Sequence, residues 1–485
     1  MKFRTGTVVF VIPVLVILSS SALVRPCCAG RVFLVKPAGN LADVAARAPD
    51  SSTIVVIGKH WLEPRAYVDS TCGNCENPKT IVDATVGLVV SGRAKRIVGI
   101  SPASSEIHTG AGYGVLFEHC TRCAIESLSV TGGARDADGN ATDAAIVVKQ
   151  SSVLIFNNRI HDNIGDSSVV RRVTVGVMGI TGREGSHMRI VGNEIVRNSW
   201  DGIALYRDAR AFIHNNFIDG VDLARGETVG GGRGVGIGLT WNARAEVYNN
   251  LVRRYWKGIG VFVDASVTVW DNVVEDVATW GISLWDADRG RARAGIKYNV
   301  VFRSGACGAA IMSGGGSEDS SAARGGSDAL SAGSAVGSAG APSREFDVFD
   351  TVEKAGQVQI QVRVRGKDEV ETEAETEMEA DTLTNMKFAN FSGNALVMTG
   401  QNPKYDSGEP YCFQQALALH KTPQGFTEAG NLFFLNRELG DRPGSRDIDR
   451  RSFLGAVGGL ERRLRVFPAT ARSEFLKWLD AERKK

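Results

Sequence analysis

The chain is patterned by short stretches in which apolar and polar residues alternate and which end in an asparagine. In one of them Val153 and Ile155 stand five and three positions before Asn158, and an apolar residue follows two positions after it. Alternation of this kind is typical of a short strand with one buried face. The pattern recurs at Asn158, Asn193, Asn216, Asn250, Asn272 and Asn299. It therefore predicts a repeated strand and turn.

A second short strand is predicted downstream of most of these asparagines. Four glycines follow an asparagine by eight or nine positions: Gly202, Gly258, Gly281 and Gly308. Equivalent apolar positions in successive repeats are 22 to 35 residues apart, and about 22 residues suffice for two or three strands with their turns. We therefore expect stacked coils that share one core, with the asparagine amides hydrogen-bonded to one another in a column.

The combined pattern, N-x-[IV] followed by G-I-x-[LV], resembles the right-handed parallel β-helix superfamily, which has the pectin-lyase-like fold. The resemblance covers residues 30–312, and residues 41–48 are similar to the short capping helix that precedes the first coil in such domains. It implies an all-β solenoid. The N-T-D, D-D, G-H-G and R-I-K set of polygalacturonases is not assembled here, nor is the D-P-H-D stretch of alginate epimerases, so no catalytic residue is carried over from either family.

The coil pattern is interrupted after Met312. Residues 313–384 are rich in Gly, Ser and Ala and then in acids, with 15 acidic and 6 basic side chains, a composition that predicts a disordered insertion. Coils resume over 385–435, and the apolar spacing over 436–485 predicts a helical cap or tail. The residues that fit the resumed coil are Phe388, Phe391, Ala395 and Val397.

Residues 1–29 have the order of a secretory signal peptide, with Lys2 and Arg4 ahead of an apolar stretch and small residues after it. We expect cleavage after Ala29, and an uncleaved membrane anchor is the alternative because the apolar stretch approaches the length of a short span. The mature protein is expected to be extracellular and monomeric, with no further membrane segment. No nucleic-acid-binding motif is present in the sequence, so nucleic acid is not expected as a partner.

Six cysteines remain after cleavage at that position: Cys72, Cys75, Cys120, Cys123, Cys307 and Cys412. An even number in an oxidising compartment favours disulfides, and the first expectation is bridges that link the CGNC pair at Cys72 and Cys75 to the CTRC pair at Cys120 and Cys123. Buried free thiols and a four-thiolate zinc site are the alternatives. Two N-x-[ST] sequons are candidates for glycosylation, at Asn140 and Asn390.

The second strand predicts a trough on the outside of the stacked coils. Since Ile203 and Leu205 should point inward, the residue between them points outward. Small residues hold this position in four coils: Ala204, Gly238, Gly260 and Ser283. Aromatic residues flank this floor: Trp200, Trp256 and Trp280 where the strands begin, and Tyr206, Trp241, Phe262 and Trp285 where they end. Such rings suit the apolar faces of sugars. The alternative is that the C-terminal segment fills the trough.

Charged residues that could act on a sugar lie near the same strands: Asp201, Arg207, Asp208, Lys257, Asp286, Asp288 and Arg289, with His161 and Asp162 one coil earlier. A lyase or C5-epimerase needs a base, for which His161, Tyr206 or Lys257 is a candidate. It also needs a cation at the sugar carboxylate, either Arg207 or a bound Ca²⁺. A hydrolase needs two carboxyl groups at a defined separation, and Asp201 and Asp208 are the best pair. Plain turn positions are the competing interpretation.

These patterns predict a secreted protein that binds a polysaccharide and modifies it by lyase, epimerase or hydrolase chemistry. Asp286 is expected to help bind the sugar. No resident metal is predicted, and Ca²⁺ is left open as a cofactor. The alternative function is a non-catalytic extracellular carbohydrate-binding or adhesion module. A carboxylate and a base beside the floor would favour the enzyme, and a covered trough would favour the module.

Overall fold

The computed structural model describes residues 30–166, 168–169, 175–220, 234–287, 290–313, 352–354, 357–359, 390–402, 414–422, 425–464 and 473–485. The predicted signal peptide, nearly all of the acidic insertion, Asp288, Arg289, Phe388 and Cys412 lie outside these ranges. In the described part of the chain, no helix has both the length and the apolar character that a membrane span requires.

Three long sheets run along the molecule, and from residue 82 onward each coil contributes one strand to each sheet. Within them all neighbouring strands are parallel apart from β4 and β5. Sheet I contains β1 (Val32–Val35), β2 (Thr53–Val56), β6 (Arg96–Gly99), β9 (Cys123–Glu126), β12 (Ser152–Phe156), β15 (His187–Val191), β18 (Arg210–His214), β21 (Arg244–Tyr248), β24 (Ser266–Trp270), β27 (Arg293–Lys297), β32 (Asn390–Ser392) and β35 (Thr427–Ala429). Sheet II contains β3 (Gly58–Trp61), β7 (Ser105–His108), β10 (Ser129–Thr131), β13 (Arg159–His161), β16 (Glu194–Val196), β19 (Phe217–Asp219), β22 (Leu251–Arg253), β25 (Val273–Glu275), β28 (Val300–Phe302), β33 (Ala395–Val397) and β36 (Leu432–Phe434). Sheet III contains β4 (Arg65–Asp69), β5 (Val82–Arg93), β8 (Tyr113–Thr121), β11 (Ala144–Lys149), β14 (Met178–Arg183), β17 (Ile203–Leu205), β20 (Val235–Leu239), β23 (Lys257–Phe262), β26 (Ile282–Trp285), β29 (Ala309–Met312) and β34 (Leu417–His420).

Two short antiparallel pairs lie outside these sheets. They are β30 (Val352–Lys354) with β31 (Gln357–Gln359), and β37 (Arg437–Glu438) with β38 (Arg442–Pro443), the latter joined by the 3-10 turn Leu439–Asp441.

The core is built from columns of inward apolar residues, one per coil. In sheet I, Ile155 pairs in register with Ile190, and Ile190 with Ile213, so the alternation read from the sequence places like residues above one another. The column continues through fully buried members of successive strands: Ile125, Ile155, Ile190, Ile213, Val247, Val269, Ile296 and Phe391. The predicted all-β solenoid is therefore confirmed.

A ladder of asparagine side chains hydrogen-bonds the backbone at the turn between sheets I and II. The backbone N–H and the Nδ2 of Asn250 both donate to Asn272 Oδ1, each at 3.0 Å, and the Nδ2 also donates to the Ile213 carbonyl oxygen at 2.8 Å. The link repeats through eight buried or half-buried residues: Asn158, Asn193, Asn216, Asn250, Asn272, Asn299, Asn394 and Asn431. The predicted column of side-chain amides is confirmed. Its hydrogen bonds pair buried backbone groups that the turn would otherwise leave without a partner.

Glycines recur where the chain enters sheet III because the next coil leaves no room for a side chain. At Gly258 a Cβ atom would stand 2.3 Å from the Gly281 carbonyl oxygen and 2.3 Å from Val274 Cγ1. At five equivalent glycines it would stand 2.5 to 2.8 Å from a carbonyl oxygen of the next coil: Gly179, Gly202, Gly236, Gly281 and Gly308. Close backbone approach therefore explains the glycine column.

Helices lie at one end and along one side of the stack. Helix α1 (Leu41–Arg47) begins at Asn40, whose side chain accepts the Asp43 N–H, and buries Leu41 and Ala45 against the core. Helices α2 (Arg450–Leu464) and α3 (Glu474–Lys484) cover the outer face of sheet II. The alternative expectation that the C-terminal segment fills the trough on sheet III is wrong, because sheet II carries the apolar outer face: Val196, Phe217, Leu251, Val273, Val300, Phe302, Ala395, Val397 and Phe434.

Candidate functional site

Part of the outer face of sheet III is covered by residues 70–81, between β4 and β5, which we call the disulfide loop. Trp241 Nε1 donates to Asn74 Oδ1 at 3.2 Å, and a guanidinium nitrogen of Arg207 donates to the Glu76 carbonyl oxygen at 3.3 Å. The Arg207 guanidinium also lies 4.3 Å from the centre of the Trp241 ring. This part of the predicted trough is therefore an internal interface, and it occupies Arg207, the predicted carboxylate-neutralising cation.

The disulfide joins Cys72 to Cys75, within one CxxC pair. The expected bridges between the two pairs are wrong, because the second pair lies in the core and not on the surface that the disulfide loop covers. Cys123 stands in a second core column of sheet I, two residues before Ile125, and is in register with Val153. The remaining cysteines in the described residues are buried free thiols: Cys120, Cys123 and Cys307.

A charged network lies buried on the same face of sheet III, and the sequence reasoning missed it. Lys149 and Arg183 are neighbours in register, and both pair with Asp69, the lysine at 2.7 Å. Tyr113 Oη donates to the same carboxylate at 3.1 Å. Burial alone would raise the pKa of Asp69, but the two cations outweigh it and hold that pKa at about 2. The network fastens β4 to the sheet, and no spacing signal links Asp69 to cations about 80 and 114 residues away.

The floor of small residues is closed. Ala204 and Ser283 are fully buried, and Gly238 and Gly260 are buried as well. At Gly260 the ring of Phe262 lies 2.3 Å from the position that a Cβ atom would take, so the aromatic side chain folds back over the glycine of its own strand. The expectation of an open floor is wrong, since the small residues make room for rings and not for a ligand.

The flanking aromatic residues divide into two groups. Four are buried: Tyr206, Trp241, Phe262 and Trp280. Three are half-exposed: Trp200, Trp256 and Trp285. Trp280 and Trp285 meet edge to face, with ring centres 6.5 Å apart, and Lys257 Nζ lies 4.8 Å from the centre of the Trp280 ring. Asp286 is half-exposed directly after Trp285. Of the predicted flanking residues, Trp200, Trp256 and Trp285 are therefore the ones whose rings are partly in contact with solvent.

Asp201 is the buried carboxyl group of this region, with 6% of its surface exposed. Its Oδ1 accepts the Val235 N–H at 2.6 Å. Burial raises the pKa of Asp201 to about 7, while this hydrogen bond and the charge of Lys257 act in the opposite direction. Burial and the Asp201 charge together raise the pKa of Tyr206 well above its usual value, so the phenol stays protonated at neutral pH and is not available as a base. Of the predicted catalytic residues, Asp201 and Lys257 are therefore brought near each other.

The other predicted catalytic residues lie elsewhere. Asp208 follows β17, at the turn into sheet I, where its charged neighbours are Arg244, Arg210 and Arg207. Asp201 precedes the same strand, so the two carboxyl groups stand at opposite ends of β17 and do not form the pair that a hydrolase requires.

His161 is the last residue of β13, in sheet II. Its Nδ1 lies 2.8 Å from Asp162 Oδ2, and Asp162 also accepts a hydrogen bond from Arg197 at 2.8 Å. This aspartate is thereby paired with Arg197 and with His161. The set of residues predicted to act together does not converge on one point.

Two further predictions concern metal binding and glycosylation. In the ranges that the structure describes, no three His, Cys, Asp or Glu side chains are grouped as metal ligands. The sequon asparagines are accessible to different degrees: Asn140 is exposed, while Asn390 is half-exposed and donates from Nδ2 to Thr427 Oγ1 at 2.8 Å. Glycosylation at both positions stays a prediction.

Comparison with known families gives one family match. The family described as "Right handed beta helix region" matches residues 87–222 and 144–321. No curated protein sequence matches the chain.

Several solved structures are similar to the chain at low identity. A pectate lyase from Bacillus sp. N165, solved with trigalacturonate, has 16% identity and a TM-score of 0.34, over 56% of this chain and 82% of that one. The periplasmic alginate epimerase AlgG has 11% identity and a TM-score of 0.37, over 83% of each chain. PfbA, a surface adhesin of Streptococcus pneumoniae, has 10% identity and a TM-score of 0.36, over 54% of this chain and 64% of that one.

Proposed function

We propose that this chain, whose fold is a right-handed parallel β-helix, binds a polysaccharide along the outer side of sheet III. The proposal also holds that residues 1–29 direct secretion of the protein and that the protein acts as a monomer. The ligand would contact Trp200, Trp256 and Trp285, with Lys257 and Asp286 as polar contacts that fix its orientation.

The observation that carries the proposal is the group of three half-exposed indoles on a rigid sheet. They lie at strands β17, β23 and β26, so they extend over three strand spacings, about 14 Å along the stack. A group of partly exposed aromatic side chains often marks a binding surface, and indole faces pack well against the C–H faces of sugar rings. A scaffold whose coils hold these rings in place lowers the ordering cost of binding an extended chain.

The proposal is tested by electrophoresis of the purified protein through gels that contain single polysaccharides, neutral and acidic. The double variant W200A/W285A should bind the retarding polysaccharide about tenfold more weakly, since each lost ring removes a stacking contact. The matched control is Trp61→Ala, because Trp61 is 70% exposed on sheet II. Equal retardation of the wild type and the double variant, with both folded by circular dichroism, contradicts the proposal.

A second candidate function is chemical modification of the bound sugar, favoured by the pKa of about 7 at Asp201. In a uronate lyase or epimerase the Asp201 carboxylate would accept the C5 proton while Lys257 faces the sugar carboxylate. The base must be ionised, so the rate should rise with pH through about 7.

Product formation separates modification from binding alone. Absorbance of unsaturated uronate reports a lyase, exchange of the C5 proton with deuterated water reports an epimerase, and new reducing ends report a hydrolase. Asp201→Asn keeps an oxygen for the Val235 N–H, so it should abolish product while the affinity changes less than twofold. Absence of all three signals from the wild type eliminates the catalytic candidate and leaves the binding proposal intact.

A further inference from the structure

Sheet I presents an outer face that neither the sequence reasoning nor the sheet III proposal used. Its outward cations lie on four strands, and we call this surface the cationic face: Arg189 on β15, Arg210 on β18, Arg244 on β21, and Arg293 and Lys297 on β27. Arg210 and Arg244 are direct partners in register, one strand spacing of about 4.8 Å apart. Arg293 occupies the same column two strands further on.

The charge of this face is strongly one-sided at neutral pH. Burial and nearby arginines lower the pKa values of His187 and His214 to about 4, so both imidazoles are neutral. The five cations face one carboxylate on the same strands, Glu246, and two more at the rim, Asp208 and Asp264. Adjacent arginines in one column repel each other, and an anion bound between them would remove that repulsion.

Aromatic residues line the face beside the cations. The rings of His214, Tyr248 and Trp270 stack in successive strands, with centres 4.6 and 4.4 Å apart and planes within 9° of parallel. Phe212, in the middle column, is 36% exposed. The stacked rings occupy one another's faces, so they form a continuous wall and do not offer separate platforms to flat bases. Helices α2 and α3 pack on sheet II instead of on this face.

We propose that the cationic face binds a linear acidic polysaccharide that runs along the stack. Its carboxylate or sulfate groups would lie over Arg210, Arg244 and Arg293, and its ring C–H groups would lie on Phe212. The strand spacing resembles the length of one sugar unit, so successive acidic groups meet successive coils. Arginine favours this ligand because its planar guanidinium donates two parallel hydrogen bonds to an oxyanion. The site is distinct from the one proposed on sheet III.

The test compares the double variant R210Q/R244Q with the wild type on polygalacturonate-agarose and heparin-agarose. The wild type should be retained at low salt and released as the salt concentration rises, because partly exposed charges are screened. The double variant should elute at clearly lower salt and bind soluble polymer at least tenfold more weakly. Retention on the first resin alone assigns a carboxylated ligand and on the second alone a sulfated one, and both outcomes support the proposal.

The matched control is R47Q/R451Q, which removes the same charge from exposed positions on α1 and α2. It should elute like the wild type. If R210Q/R244Q does not fold, the single variant R293Q serves the same comparison.

Four outcomes overturn the proposal. The first is no retention of the wild type at low salt, and the second is an equal loss in R210Q/R244Q and R47Q/R451Q. The third is retention that emerges only after deletion of residues 367–381. That stretch contains a run of acids and precedes Asn390 of β32, which pairs with β27, so this result would assign the cationic face to the chain's own acidic insertion. The fourth is binding of duplex DNA as tight as that of the acidic sugars, which would show that the face attracts any polyanion without selecting a sugar.

Discussion

At the scale of single residues, this fold depends on glycine positions that cannot accept even one added side-chain carbon. The contact between Gly258 and the Gly281 carbonyl oxygen exists because parallel coils are held one strand spacing apart by their hydrogen bonds. A methyl group there cannot be accommodated by a side-chain rotation, since the obstructing atom belongs to the backbone. Phe262 shows the reverse relation, because its ring uses the space left by the glycine at 260.

Replacement of Gly258 by Ala should therefore lower the free energy of unfolding by about 2 to 3 kcal/mol through overpacking. The matched control is Gly455→Ala in α2, where no atom lies within 4 Å of the added methyl group. That change should raise the free energy of unfolding by about 0.5 to 1 kcal/mol, because alanine favours the helix. Urea denaturation measures both. A loss at Gly258 no larger than the change at Gly455 would show that the coils can separate to admit a side chain.

At the scale of elements, the coils could be predicted from the sequence because alternation and the asparagine spacing report which residues face inward. The same alternation says nothing about what covers the outward residues. The small side chain at Ala204 is compatible with an open floor or with a floor under aromatic rings, and the structure has the second. The disulfide loop and the Asp69 network depend on contacts between distant coils, for which the sequence contains no spacing.

One signal for the position of the C-terminal helices was present in the sequence. In sheet II the two residues after the ladder asparagine are both apolar in successive coils, as in Leu251 with Val252 and Val273 with Val274. An unbroken apolar pair indicates a strand buried on both faces, whereas an alternating strand has one face in solvent. The observed packing of α2 and α3 on sheet II is what this pattern requires.

At the scale of the whole molecule, the helical layer is tied to the stack by a buried carboxylate as well as by apolar contact. Glu275, on the outer face of β25, is fully buried. Its carboxylate accepts the Ser473 hydroxyl at 2.9 Å and the N–H groups of Glu474 and Phe475 at 3.1 Å each. These are the first donors of α3, which have no acceptor inside the helix, and the positive end of the helix dipole adds to the attraction.

Glu275→Ala should therefore loosen α3 from sheet II by about 2 to 4 kcal/mol, since it leaves buried N–H donors without an acceptor. Hydrogen–deuterium exchange of the amides in 473–485 should quicken by at least tenfold, while exchange in the ladder strands changes little. The matched control is Asp276→Ala, the next residue, whose half-exposed carboxylate pairs with Arg303 at 2.6 Å. Loss of that surface pair should cost less than about 1 kcal/mol. If both variants exchange alike, apolar contact alone holds the helical layer, and Glu275 has no part in fastening the C-terminal helices to the solenoid.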